Sequence, residues 1–328
     1  MGKRHKKDVA KGYKKAKHRK LKGQPEPKGW SAASHKEEES FMMTTELSLG
    51  TRGHDVRRLQ ALLNRVGAML DEDGIFGGGC KRGVEYAQQL AGLPVTGIAD
   101  ARLAAWLQEQ AKPFPALSTE GVAFIAQEET GGLAYYDKFA RWPVFPGGES
   151  GITIGVGFDL RHTTKAAFQS LWGPHLSAPV MKTLLQDVGR QGAKVRAEEL
   201  KAQGVEIPFS AAWAVFIEKS LPDYYQRTET IYPSLGKLPG TCQAVLVSLV
   251  YNRGNSLAGA SRGEMRVIQD ILAEAAQSHN PMASKSEILA SIADQLISMQ
   301  RLWPKQSGLV RRRKKEARLW LEGLQSGR

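Results

Sequence analysis

Hydrophobic positions fall into regular patterns only beyond residue 46. In DVRRLQALLNRVG (residues 55–67), Val56, Leu59, Leu62, Leu63 and Val66 recur at helical spacing. That spacing predicts a helix opened by Asp55 and stopped at Gly67. A second amphipathic stretch over residues 81–91 ends at Gly92, and Asp100 opens a third helix that offers Ala101, Leu103, Trp106 and Leu107 to a core. Val56…Gln60 and Val84…Gln88 repeat one spacing, a weak internal echo. These elements predict a three-helix unit over residues 46–112, ended by the two prolines of KPFPALS (residues 112–118).

The next helix is read from Ser118 and Glu120, which suit a helix start. Val122, Ile125, Ala126 and Glu129 follow at i, i+3, i+4 and i+7 on one stripe, which leaves Glu128 on the flank. A carboxylate on a buried stripe near a helix C-terminus is expected to hold its proton longer than an exposed one. That is what a general acid requires. The bland alternative is a Glu whose stem packs while its head reaches solvent.

Residues 152–159 alternate strictly: Ile152, Ile154, Val156 and Phe158 are apolar, and Thr153, Gly155, Gly157 and Asp159 are polar or lack a side chain. Period two predicts a strand with one buried face and an open polar face. The two glycines would clear room there for a bulky polyhydroxylated substrate. The GVG within it lacks the third glycine and the βαβ setting of a phosphate loop. Farther on, AVLVSLVY (residues 244–251) is apolar all round, as a buried central helix should be. Asn252 at its polar end suits either sugar contact or capping, Ser261 and Glu264 have the spacing of a capping box, and His162 is expected at the surface.

Composition adds three constraints. The net charge of +13 is concentrated in residues 1–22, which hold eleven Lys/Arg and one Asp, so the other 306 of the 328 residues carry only +3. Such a segment is expected to be a disordered tail, drawn to an anionic wall or membrane polymer or merely solubilising. Residues 23–45 read as linker. The longest apolar run is far shorter than a bilayer span, and no apolar segment follows the basic start, so no signal peptide is read. Cys80 and Cys242 are expected to be free thiols.

The motifs carry two resemblances. Gly50–Gln60 with its G-x-x-G-x-x-V-x-x-L-Q pattern, D-G-x-F-G at Asp73–Gly77, the later Gln and Gly92–Leu93, and V-T-G at Val95–Gly97 together resemble the small peptidoglycan-binding domain of wall hydrolases, over about residues 46–110. The acidic DEDG stretch lacks the ligand spacing and distal Glu of an EF-hand loop, so no metal is expected there.

The second resemblance spans about residues 118–325. Glu129, Tyr135–Tyr136, FPGG at Phe145–Gly148, Ser150–Gly151, TIGVG at Thr153–Gly157 and Asp159–Leu160 resemble the phage-lysozyme and pesticin family of muramidases, and look closer to its pesticin-like branch. Blocks at Gln243–Gly254, Ser261–Ile268, Ser298–Trp303 and Arg311–Leu319 extend it. The resemblance implies Glu129 as general acid and Asp159 with Thr153 as holders of the attacking water. Asp137 is the alternative helper, and Tyr136, Gly155, Gly157 and Asn252 are substrate contacts. A straight strand would put Thr153 and Asp159 about 20 Å apart, so either the chain bends at Gly155 or Gly157 or Asp137 does the work. The expected fold is mainly α: a basic tail and linker (residues 1–45), a three-helix peptidoglycan-binding domain (46–112) and an α+β lysozyme-like domain with a small β element (117–328). The implied activity is inverting cleavage of the β-1,4 bond between N-acetylmuramic acid and N-acetylglucosamine. It needs no cofactor and is carried out by a monomer that is made in the cytoplasm and acts on the wall. An endolysin is the leading role. A pesticin-like toxin with the same chemistry and a lytic transglycosylase are the alternatives.

Overall fold

The computed structural model describes residue 43 and residues 45–277 and 282–327; the basic tail at 1–22 lies outside the described residues. The described residues are mainly helical with one two-stranded sheet, and none of their helices is long and apolar enough to cross a membrane.

The described residues form two compact units. One takes in the chain up to Pro113 together with Ala126–Ser220, and the other takes in Phe114–Ile125 and the chain from Leu221 onward. In the first, α1 (His54–Arg65), α2 (Gly78–Ala91) and α3 (Ala101–Gln108) form the expected trio. Val56, Leu59, Leu63, Val84, Leu103 and Leu107 are essentially without solvent contact. Asp100 caps α3 by accepting from the Leu103 N–H at 2.8 Å, and Gly92 ends α2 with φ +69°. Asp55 sits inside the first turn of α1, and Gly53 rather than a side-chain acceptor precedes that helix.

The Gln60/Gln88 echo has a physical basis. Gln60 accepts from the Gly74 N–H (2.8 Å) and donates to Asp73 Oδ1 (2.8 Å) and the Ile75 carbonyl (3.2 Å). Gln88 accepts from the Thr96 and Gly97 N–H groups (2.9 and 3.0 Å) and donates to the Ile98 carbonyl (2.9 Å). Each glutamine is buried and staples an x-Gly-Ile turn whose glycine has φ near +70°. The Asp73 carboxylate is therefore engaged by protein donors, as Glu72 is by Asn64.

The trio is packed into its unit rather than held only by the chain. Gly67, with φ +91°, lies so close to Trp213 that a Cβ there would stand 2.7 Å from the indole. Tyr86 meets Phe209 edge-on, with centroids 5.7 Å apart. Met69, a non-glycine residue with positive φ (+56°), takes hydrogen bonds at its carbonyl from Gln127 (3.2 Å) and at its sulfur from Thr130 (3.1 Å). The division at 112/117 suggested by the prolines is thus crossed by packing between the trio and residues 126–220.

In the second unit the helix Gly240–Arg253 is the core element, and every residue from Thr241 to Val250 is buried. It packs on Gly308–Ser326, whose Arg312, Arg313 and Glu316 are buried as a network. Glu316 accepts from Arg313 (2.7 Å) and from the Ser248 hydroxyl (2.7 Å). Buried charges persist only when paired in this way.

Candidate active site

The helix α4 (Thr119–Thr130) carries Glu129 in its last turn. The Ser118 hydroxyl caps its start by accepting from the Gly121 N–H at 3.0 Å. Gly131 and Gly132, both at positive φ, end it. Val122 through Ala126 are all buried, so α4 has no single apolar stripe that singles out Glu129. Glu128 and Glu129 are both half-buried. What marks the Glu129 turn is its bracing. Gln127 and Thr130 both bond to Met69, and Thr130 also donates to the Ala126 carbonyl at 2.7 Å.

Thr153–Asp159 is not one strand. β1 (Thr153–Ile154) and β2 (Phe158–Asp159) pair antiparallel around a Gly155-Val156-Gly157 turn, with Thr153 opposite Asp159. Gly155 (φ +60°) and Gly157 (φ +76°) supply the left-handed backbone. Directly opposed residues have Cβ atoms about 5 Å apart. One water can therefore reach both side chains, as it could not across an extended strand. The other edge of β1 is held by Val144, which exchanges both backbone hydrogen bonds with Thr153 (2.9 and 2.8 Å).

Asp159 is clamped. Oδ1 accepts from the N–H groups of Gly151 (2.9 Å) and Arg161 (2.8 Å), while Oδ2 takes a longer bond from Gly151 (3.1 Å) and lies 3.8 Å from His162 Nε2. A carboxylate has about four lone-pair directions, so Oδ2 retains capacity for a water. The Thr153 hydroxyl makes no hydrogen bond among the described residues. Asp137 lies on the π-helical turn Tyr136–Ala140 and is exposed. Partial desolvation of its carboxyl pushes the pKa up against the opposing pull of Arg141. His162 is largely exposed.

Two expected substrate contacts, Tyr136 and Gly155, change. Tyr136 is fully buried, donates to the Ile207 carbonyl (3.1 Å) and packs on Phe209 with centroids 5.0 Å apart, so it is a core residue. The exposed aromatics are its neighbours Tyr135 and Phe139, about half-exposed and 4.8 Å apart, with Lys138 Nζ 5.0 Å from the Phe139 ring. Their i, i+4 spacing was available in the sequence as a signal. Gly155 clears no room for a ligand at its Cβ position, where Trp172 would stand at 2.9 Å and Ala212 at 3.2 Å; the glycine is required by the turn and the interior. Gly157 is exposed. Asn252 belongs to the other compact unit, at the end of Gly240–Arg253. Ser261 and Glu264 make no capping-box hydrogen bond among the described residues; instead Arg301 engages both Glu264 oxygens (2.8 and 3.2 Å). Cys80 and Cys242 are buried free thiols, both pushed up to about 12 by burial, a state that keeps them unreactive.

Residues 52–107 match the family described as "Putative peptidoglycan binding domain". The two stapled turns and the core of the helix trio fall inside that match. This part of the chain is a peptidoglycan-binding module and associates the protein with the cell wall. No curated protein matches the chain.

Proposed function

We propose that the protein is a peptidoglycan hydrolase of the muramidase type. The observation that carries this reading is the β1–β2 register, which sets Thr153 opposite a clamped Asp159 in the same compact unit as Glu129 and the wall-binding trio. Protonated Glu129 gives its proton to the glycosidic oxygen between N-acetylmuramic acid and N-acetylglucosamine. Water held by Thr153 and Asp159 attacks the anomeric carbon from the opposite face, and Asp159 takes up its proton. The product is a reducing end of inverted configuration, and no cofactor enters. Asp159 is preferred over Asp137 because its carboxylate is held rigid next to a free hydroxyl, as water positioning requires. The exposed Tyr135/Phe139 pair offers a stacking face for a sugar ring.

The test is mass spectrometry of digested peptidoglycan. Reducing muramic acid ends are expected, and their loss in Glu129→Gln by a factor on the order of 10² to 10⁴ or more. Anhydro ends would make the protein a lytic transglycosylase, and unchanged walls would leave a binding protein. Asp159→Asn inactive with Asp137→Asn active is the expected pair, and the reverse pair would move the helper role to Asp137.

A further inference from the structure

The second compact unit contains a pocket of about 370 Å³ that none of the chemistry above uses. It is lined by the end of the helix Gly240–Arg253 (Asn252, Arg253), by Ser261 and Arg262, and by Leu302, Trp303 and Leu309. The charged groups next to its lining are engaged in ion pairs. Arg301 is paired with Glu264, and Arg312 and Arg313 with Glu316. Arg253 and Arg262 are left with no carboxylate partner among the described residues. Arg253 donates through Nη2 to the Ser261 carbonyl (2.5 Å) and lies over the Trp303 ring (5.2 Å), while Arg262 reaches only the Met265 sulfur at 3.9 Å. Burial, with the surrounding arginines Arg262, Arg313 and Arg301 adding to it and Glu264 opposing, pulls the Arg253 guanidinium down to about 10. Among the lining residues, two buried side-chain atoms have no hydrogen-bond partner: Arg253 Nε, a donor, and Asn252 Oδ1, an acceptor.

These atoms define what fits. The guanidinium pair calls for an anionic oxygen acceptor. The Asn252 oxygen calls for a donor beside it, which a fully ionised phosphate or sulfate does not have. Leu302, Leu309 and Trp303 call for a small apolar group. A carboxy-terminal amino acid residue carries all three on neighbouring atoms: an amide N–H, an alkyl side chain and a carboxylate. We infer that this pocket binds the free carboxyl end of an N-acylated small apolar amino acid, with the carboxylate on Arg253 and Arg262, the amide N–H on Asn252 Oδ1 and the alkyl group against Leu302 and Trp303. Two sources share this chemistry, a wall stem peptide ending in a D-residue and an ordinary peptide C-terminus. If the hydrolase reading holds, the wall stem is the source it favours, and that clause alone rests on it.

The test is titration of the full chain, in its Glu129→Gln form, with N-acetyl-D-alanine, its methyl ester, N-acetyl-L-alanine and inorganic phosphate, followed by ligand-observed NMR. The acid is expected to bind and the ester to bind about tenfold more weakly or worse, because it loses the charge-assisted pair. Arg262→Gln is expected to weaken the acid by a similar factor and Asn252→Leu to weaken it too, with melting temperatures unchanged. An ester that binds as well as the acid, phosphate that binds as tightly, or Arg262→Gln without effect would overturn the site. A D-over-L preference supports the wall stem, and equal or reversed preference overturns that source. No turnover is read, so walls left unchanged by the native chain would sink the hydrolase reading while leaving this site standing, and absence of binding would do the opposite.

Discussion

Replacing Gly67 by alanine tests whether the wall-binding trio is packed into its unit. The substitution has two costs that the structure separates. Gly67 has φ +91°, where an L-residue pays about 1–2 kcal/mol in backbone strain. The new methyl would also stand 2.7 Å from the Trp213 indole, and overpacking of this kind costs about 1–3 kcal/mol. Gly92 is the control: its φ is +69° and nothing lies within 4 Å of its Cβ position, so Gly92→Ala bears the backbone cost alone. Against a folding stability of about 5–15 kcal/mol, Gly67→Ala should remove a large fraction and Gly92→Ala a small one. Urea unfolding of the full chain, followed by tryptophan fluorescence, measures both. A double-mutant cycle with Trp213→Leu should recover about 1–3 kcal/mol of coupling, because the shortened side chain makes room for the methyl. Equal costs at the two glycines together with no coupling to Trp213 would refute the packing of the trio against residues 126–220.

Other expectations follow from single contacts. Tyr136→Phe loses the bond to the Ile207 carbonyl, so it should cost about 0.5–1.5 kcal/mol of stability and leave wall lysis per folded molecule unchanged; a raised KM at unchanged stability would return Tyr136 to the substrate site. Gln88→Leu leaves the Thr96 and Gly97 N–H groups without their acceptor, for about 1–3 kcal/mol each, and a melting curve that does not move would show the staple to be idle. Burial lowers the His175 pKa, with Glu218 opposing, so the unfolded chain binds this proton more tightly than the folded one. Its contribution is present above the ordinary value of about 6.5 and is lost as pH falls through the depressed one. The melting temperature should therefore drop over that interval in the native chain and less in His175→Gln; parallel curves would exclude the residue.

Short-range signals were readable in the sequence and long-range ones were not. The Asp100 cap, the Gly92 stop and the Ser118 start need only neighbours a few residues away, and the structure has all three. The alternation through residues 152–159 reads as one strand, and the structure has the other option the glycines left open, a bend: a glycine on each side of Val156 satisfies period two while also supplying the positive φ of a hairpin turn. The stripe on α4 misled because it counted Ile125 and Ala126 but not Ala123 and Phe124, whose burial closes the other faces. Which of two adjacent tyrosines turns inward was decided by Ile207 and Phe209, some seventy residues away. The Gln60/Gln88 spacing was visible, but its purpose needed the turns that the two side chains hold.

The hydrogen bonds from Gln127 and Thr130 to Met69 have a thermodynamic consequence. Any ligand that binds only the folded trio stabilises whatever unfolds together with it, by about 2.7 kcal/mol when free ligand stands at a hundred times its Kd. Because Met69 ties the trio to the turn of α4 that bears Glu129, wall polymer bound at residues 52–107 protects that turn as well. The protein is then most resistant to heat and proteolysis while seated on the wall, and least resistant once it has left it.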